Sequence, residues 1–301
     1  MPVELSVIIA NYNSGQFLKE CVNSVFDAYE ELEVVVIDNT SSDDSLNQLI
    51  SAFPDEPRLH IHNNTSNLGF AKACNTGSQS VSGQYLFYLN PDAALEKHAI
   101  TEMLTVLKEN LTVGMVGGML LNLDGSEQAG GRRGIPTPWR SFVRAFGLSR
   151  LGKRYPKLFS DFLHHTDPVP ELPIEVEAIS GACMMVRREA LDDVGPLDEG
   201  YFMHCEDLDW CMRFRQKGWK ILFVPTAKIV HYLGVCSKSR PIFVEWHKHK
   251  GMMRFYKKFF RHQYPGILMW LVGLGVWLRF GLIAIYYSGR HVARWLGLLR
   301  A

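Results

Sequence analysis

The chain has 301 residues and a formal net charge of +1, which hides an asymmetry: residues 1–131 carry −12 and residues 132–301 carry +13. That length allows a large core and two lobes. Six cysteines (21, 74, 183, 205, 211 and 236) show no CxxC pair and no zinc spacing, so they read as reduced thiols of a cytosolic protein.

Val3–Ala10 reads as a buried strand, followed by a turn at Asn11-Tyr-Asn-Ser-Gly15 and a helix with Phe17, Leu18, Cys21, Val22 and Val25 on one face. Glu33–Asp38 is a second strand ending on a carboxylate, and a short helix with Leu46, Leu49 and Ile50 follows it. Arg58–His62 is a third strand, and a helix runs from Gly69 to Ser80. Tyr85–Leu89 is a strand of five bulky apolar residues, suited to a sheet covered on both faces. Pro91 cannot continue its ladder, so Asp92 lies just past the strand's carboxyl end. Taken alone, Asn90-Pro91-Asp92 leaves two roles open. Asp92 stands at the edge where open α/β sheets bind ligands, or it caps a helix beginning at Ala94. A helix with Ile100, Met103, Leu104 and Leu107 precedes a strand at Val113–Leu121. The alternation predicts an α/β fold with a mostly parallel, Rossmann-like sheet flanked by helices.

Residues 122–175 break the pattern. Arg132 to Lys157 holds eight basic residues and no acid, and Trp139, Phe142, Val143 and Phe146 fit a basic amphipathic helix or a solvated loop. Order returns at Ile174–Arg187, two strand segments kinked at Gly181. A short helix at Glu189–Val194 precedes one on which Leu208, Cys211 and Met212 share a face. That puts Glu206 and Asp207 in its first turn, where acids also simply offset the helix dipole. Trp219–Val224 is a strand with Pro225 at its end, and His231 follows. Ile267–Tyr287 is a 21-residue apolar run broken by one charge, Arg279, with basic clusters on both sides. It is long enough to span a bilayer, yet the flanking charges favour a hydrophobic hairpin, bent at Gly273, Gly275 or Gly281, or interfacial helices. Phe243–Phe260 is basic and aromatic, as for a helix on anionic lipid. The N-terminus lacks a signal-peptide pattern, so the globular part is expected in the cytosol. Three segments result: 1–121, 122–237 with the basic loop at 122–175, and 238–301 with membrane-associated helices. Neither GxGxxG nor GxxxxGK[ST] occurs, which disfavours a dinucleotide dehydrogenase and a P-loop protein.

Seven stretches in order, SVIIANYNS (6–14), VVVIDNTSSDDS (34–45), NNTSNLGFAKACNTG (63–77), YLFYLNPDA (85–93), ISGACMMVRRE (179–189), DEGYFMHCEDLDWCMR (198–213) and VHYLGVC (230–236), resemble an inverting family 2 glycosyltransferase of the GT-A fold. Within it the chain looks most like the bacterial rhamnosyltransferase branch. The resemblance implies a nucleotide-sugar site at Ala10, Asn11, Tyr12, Asp38, Asn67, Gly69, Asn75 and Asn90. It places Asp92 at the last position of the family's DXD motif, with Asn90 where a first carboxylate would stand. Asp92 and His231 would then hold Mg²⁺ or Mn²⁺, and Asp207, with Glu206 beside it, would be the catalytic base. The donor would be a dTDP- or UDP-linked sugar, and the acceptor a lipid-linked saccharide. The setting would be an anionic membrane surface at the cytoplasmic face of the inner (plasma) membrane, with no nucleic-acid partner. A nucleotidyltransferase and an inactive membrane-bound nucleotide-sugar-binding subunit are the alternatives.

Overall fold

The computed structural model describes residues 3–232, 234 and 240–295; Cys236, named above, lies outside them. The first half alternates: β1 (Leu5–Asn11), α1 (Phe17–Ala28), β2 (Leu32–Asp38), α2 (Ser45–Ala52), β3 (Leu59–Asn63), α3 (Phe70–Gln79) and β4 (Tyr85–Leu89). Next come β5 (Ala93–Leu95), α4 (Ala99–Glu109) and β6 (Val113–Leu121). A run of short pieces follows: β7 (Arg132–Arg133), α5 (Pro138–Ala145), α6 (Pro156–Phe159), β8 (Ile174–Glu175) and β9 (Ala178–Ile179). The chain then forms β10 (Cys183–Arg187), α7 (Arg188–Val194), α8 (Glu206–Gln216), β11 (Lys220–His231), α9 (Pro241–Phe259) and α10 (Gly266–Trp295).

One sheet runs β3-β2-β1-β4-β10-β6-β11-β5, with β8 beside β11. β1 to β4 pair in parallel, as do β6 and β11, while β10 lies antiparallel between β4 and β6. The mostly parallel α/β sheet expected from the sequence is present, with one reversed strand inside it. Its two faces feed two cores. Leu5, Val7 and Ile9 of β1 join α1 and α4 on one side; Ile8 and Ala10 join α3 and α8 on the other. That period of two, with apolar residues feeding both faces and every position buried, is what a doubly covered strand requires. Each large side chain so buried contributes roughly 1.5–3 kcal/mol.

Three local expectations change. No helix starts at Ala94. Ala93–Leu95 forms β5, which pairs antiparallel with β11, His231 opposite Ala93. Pro225 does not end its strand either: β11 continues to His231, and the proline sits in the irregularity between Val224 and Lys228. A bulge is where a strand tolerates a residue without an N–H. The hairpin at Gly273, Gly275 or Gly281 is absent, because α10 is a continuous 30-residue helix. The basic helix is there as α5, capped by Thr137, whose hydroxyl accepts from the Arg140 N–H at 3.1 Å.

Candidate active site

The carboxyl end of β4 delivers Asn90 and Asp92, and the pairing of β5 with β11 delivers His231 to the same point. His231 Nε2 lies 3.2 Å from Asp92 Oδ1 and 3.4 Å from Asn90 Nδ2. Both Asp92 and His231 are buried. The other ring nitrogen, Nδ1, is 2.6 Å from Gln128 Oε1, and Gln128 Nε2 donates to the His231 carbonyl at 3.2 Å and to Asn122 Oδ1 at 3.2 Å. The amide oxygen faces Nδ1, which orients the ring and turns Nε2 toward Asp92 and Asn90. The charge of Asp92 and burial both push the nearby Cys21 thiol up, burial being the larger cause.

The second cluster is built at the start of α8. His204 and Cys205 take left-handed backbone angles, φ 63° and 72°, and turn the chain into the helix. Asp207 Oδ1 accepts from the Leu208 N–H at 2.8 Å, and Oδ2 from the Gly181 N–H at 3.1 Å and from the Arg133 guanidinium. Glu206 is buried, with Oε2 lacking a hydrogen-bond partner, as does Nε of Arg133. Burial first, then the adjacent Asp207, pushes the Glu206 carboxyl up to about 8. Both causes favour the protonated form of Glu206.

The two clusters are stitched together by one turn. Ala182 O accepts from the Asn90 N–H at 3.0 Å, and Gly181 N–H binds Asp207. The β9–β10 connection thus binds the Asp207 carboxylate and the Asp92 loop on adjacent residues.

The remaining residues of interest line the same sheet edge. Asn11 Nδ2 donates to Asp38 Oδ1 at 2.7 Å across the β1–β2 pair, and Ser41 donates to Asp38 through its N–H and its hydroxyl. Ala10 is inside β1 with its methyl in the core, and Tyr12 stands half-buried beyond it. Asn67 accepts from the Gly69 N–H at 2.9 Å. Gly69 has φ +83°, and a Cβ there would meet Phe202 O at 2.4 Å, so only glycine fits. Asn75 stands apart from these contacts: its amide binds the backbone of Leu197 and the Glu199 carboxylate, holding the loop that leads to α8. Sequence reasoning missed Gln128, Arg133 and Asn39. Asn39 ties residues 64, 68 and 69 to the end of β2. Arg133 sat inside a basic run already noted, whereas Gln128 carried no signal.

Comparison with known proteins gives the family and the fold. Residues 6–195 match the family model described as glycosyl transferase family 2. The chain belongs to that family. Residues 133–298 also match the model described as glycosyl transferase family group 2. An N-acetylglucosaminyl-diphospho-decaprenol L-rhamnosyltransferase of Mycobacterium tuberculosis is 25% identical over 240 residues, 76% of each chain. A low-salt glycan biosynthesis hexosyltransferase of Haloferax volcanii is 26% identical over 234 residues, covering 76% of this chain and 67% of that one. Among solved structures, a mannosyltransferase of Pyrobaculum calidifontis in complex with GDP-Man and Mn²⁺ superimposes with a TM-score of 0.58 at 16% identity, over 97% of this chain and 81% of that chain. GalNAc-T7 with UDP, GalNAc and Mn²⁺ gives 0.55 at 20% identity, over 76% of this chain and 44% of that chain. The sheet with its reversed strand is thus a GT-A fold, and the protein is a rhamnosyltransferase-like glycosyltransferase.

The donor set of this family member suits a divalent cation held jointly with a ligand. Asp92 Oδ1 and His231 Nε2 converge, and no group of three or more His, Cys, Asp and Glu exists among the described residues to cage an ion alone. A hard cation with two protein ligands completes its shell from phosphate and water.

Proposed function

We propose that the protein is an inverting glycosyltransferase that moves a sugar, rhamnose by analogy with its relatives, from a dTDP- or UDP-linked donor to a hydroxyl of a lipid-linked saccharide. The relative in Mycobacterium tuberculosis is named for such a lipid-linked acceptor, and α10, long and apolar enough to cross a membrane, supports work beside a bilayer. The cytoplasmic face is the side where the unpaired thiols and the nucleotide sugar would both be at home. The observation that carries the reading is the β9–β10 turn, which binds the Asn90 loop and Asp207 on neighbouring residues.

Asp207 takes the proton of the acceptor hydroxyl as that oxygen attacks C1. The C1–O bond to the diphosphate breaks on the opposite face, and its electron pair leaves on the diphosphate, so the anomeric centre inverts once. Arg133 and the Gly181 N–H aim the Asp207 carboxylate; burial and Asp207 itself favour the protonated form of Glu206 beside it, so the base would not face a second charge. Asp92 and His231 would hold Mg²⁺ or Mn²⁺, which supplies charge neutralisation on the leaving diphosphate when bound. Gln128 fixes the ring of His231 for that role.

The test combines a panel of dTDP- and UDP-sugars, Mn²⁺ or Mg²⁺, and N-acetylglucosaminyl-diphospho-decaprenol, with product mass and anomeric configuration as readouts. Expected is transfer from one donor with inversion, abolished by EDTA and by Asp207→Asn. Retained configuration, EDTA-resistant turnover or a fully active Asp207→Asn would each end the reading.

A further inference from the structure

We propose that α10 lies along a membrane surface rather than across it, with one apolar face sunk into the outer acyl region of an anionic leaflet. This rests on the membrane association proposed above. Length and composition alone would let Gly266–Ala293 span a bilayer. Its packing argues otherwise.

After the turn at residues 260–265, α10 runs back along α9. Met269, Val272 and Val276 pack on the core that holds Phe255, Tyr256 and Phe260. Gly273 lets the two helices approach, since a Cβ there would lie 3.2 Å from the Met253 methyl. Trp246 of α9 meets Trp277 and Phe280 of α10, with ring centroids 5.1 and 5.4 Å apart. α9 is in turn fastened to the catalytic domain. Lys258 Nζ lies 2.6 Å from Asp209 and 2.8 Å from Asp198, and Tyr256 donates to or accepts from Ser141 at 2.7 Å. A bilayer crossed by α10 would have to admit α9 with Lys250, Arg254, Lys257 and Lys258, all exposed cations that hydrocarbon disfavours.

Arg279 points the same way. Its NH1 lies 3.0 Å from His249 Nε2 and 4.0 Å from Glu245 Oε2, so the charge midway along α10 is answered by α9 on the domain side. The opposite side is a different surface. Ile267, Leu271, Leu274, Leu278, Leu282 and Ile285 are all exposed, and their spacing makes one stripe on a 3.6-residue period. One packed face and one bare apolar face describe an interfacial helix, whose apolar side sits about 5–10 Å into the headgroup and acyl boundary. Residues 238–301 hold twelve basic residues and one acid, so the leaflet it fits is anionic.

The full chain, carrying Cys236→Ser so that its other cysteines are the five buried ones, is added to preformed phosphatidylcholine–phosphatidylglycerol vesicles. Single cysteines replace Gln263, which is exposed just before α10, Leu278 or Ser288. An in-plane helix leaves positions 263 and 288 both open to an impermeant maleimide from outside. A fluorophore at 278 is then quenched more by lipids brominated near the headgroup than by lipids brominated mid-chain. Position 288 reacting only after vesicle lysis, with mid-chain bromines quenching 278 most, would mean that α10 crosses and would overturn the proposal while membrane association stands. A stripe shielded from both reagents, in a protein of doubled mass, would assign it to a second copy and also overturn it. Failure to float with the vesicles would withdraw the membrane reading itself.

Discussion

The two clusters that meet at the β9–β10 turn are held in different ways. Asp92 and His231 are fixed by backbone: β5 begins just after one, β11 ends at the other, and Tyr232 N–H binds the Asp92 carbonyl at 2.8 Å. Glu206 and Asp207 are fixed by side chains reaching in from elsewhere, Arg133 from β7 and, two residues on, Lys258 from α9 to the fully buried Asp209. A ladder leaves little room for a ligand to shift. The base proposed at Asp207, held partly by backbone N–H groups and partly by these long side chains, would depend on elements remote from the chemistry, including the helix that carries α10. Substitutions should therefore separate the clusters.

The largest separation is expected from Asp207→Asn. Turnover should fall about 10²–10⁴-fold, the usual contribution of a general base. Mn²⁺ affinity, read by calorimetry with the nucleotide diphosphate present, should stay at the wild-type value. Gln128→Leu probes the other side. It frees the His231 ring from the partner that orients it, and Mn²⁺ affinity should drop about 10–100-fold. Activity at saturating Mn²⁺ should recover most of its wild-type value, which a misplaced base would not allow.

Lys258→Met tests whether α9 positions the base. Asp209 loses the cation beside its Oδ2 and keeps Arg213 and Tyr201. The first turn of α8 then shifts, and a displacement of that kind costs kcat up to about 10²-fold. Donor KM and Mn²⁺ affinity should not change, and Lys258→Arg should restore most of the loss. Equal losses in kcat and donor affinity would instead mean that Lys258 only stabilises the fold.

This asymmetry also explains what the sequence could and could not disclose. The strands β1, β2 and β4 are mostly apolar runs stopped by a carboxylate or Asn, local signals that need no partner to be read. The α8 helix was legible from Leu208, Cys211 and Met212 for the same reason. What escaped was long-range. Ala93–Leu95 is three residues, too short to announce a strand, and exists because β11 lies alongside. Its pairing is what brings His231 to Asp92 from 139 positions away. His231 was foreseen by family likeness rather than by spacing, since a lone histidine after a strand points nowhere in particular. Gln128 and Arg133 sit in a glycine-rich stretch whose path is set by contacts with β9 and β11, and no local pattern marks them.

The smallest effect concerns Glu206. In the unfolded chain its carboxyl titrates near 4.5, and in the fold it is pushed up to about 8. Between those values the native state keeps a proton that the unfolded state has lost. Unfolding then releases a proton, so stability is full below about pH 4.5 and declines as pH rises toward 8, by at most about 1.4 kcal/mol per pH unit. Glu206→Gln removes this titration while keeping a neutral group of the same shape. Thermal unfolding measured from pH 5 to 9 should therefore show the variant gaining on the wild type as pH rises, with little difference at the acid end. A gap that stays constant over that range would mean that Glu206 is ionised in the folded protein. The base would then sit beside a second negative charge, and Arg133, whose Nε is without a partner, would have to neutralise both.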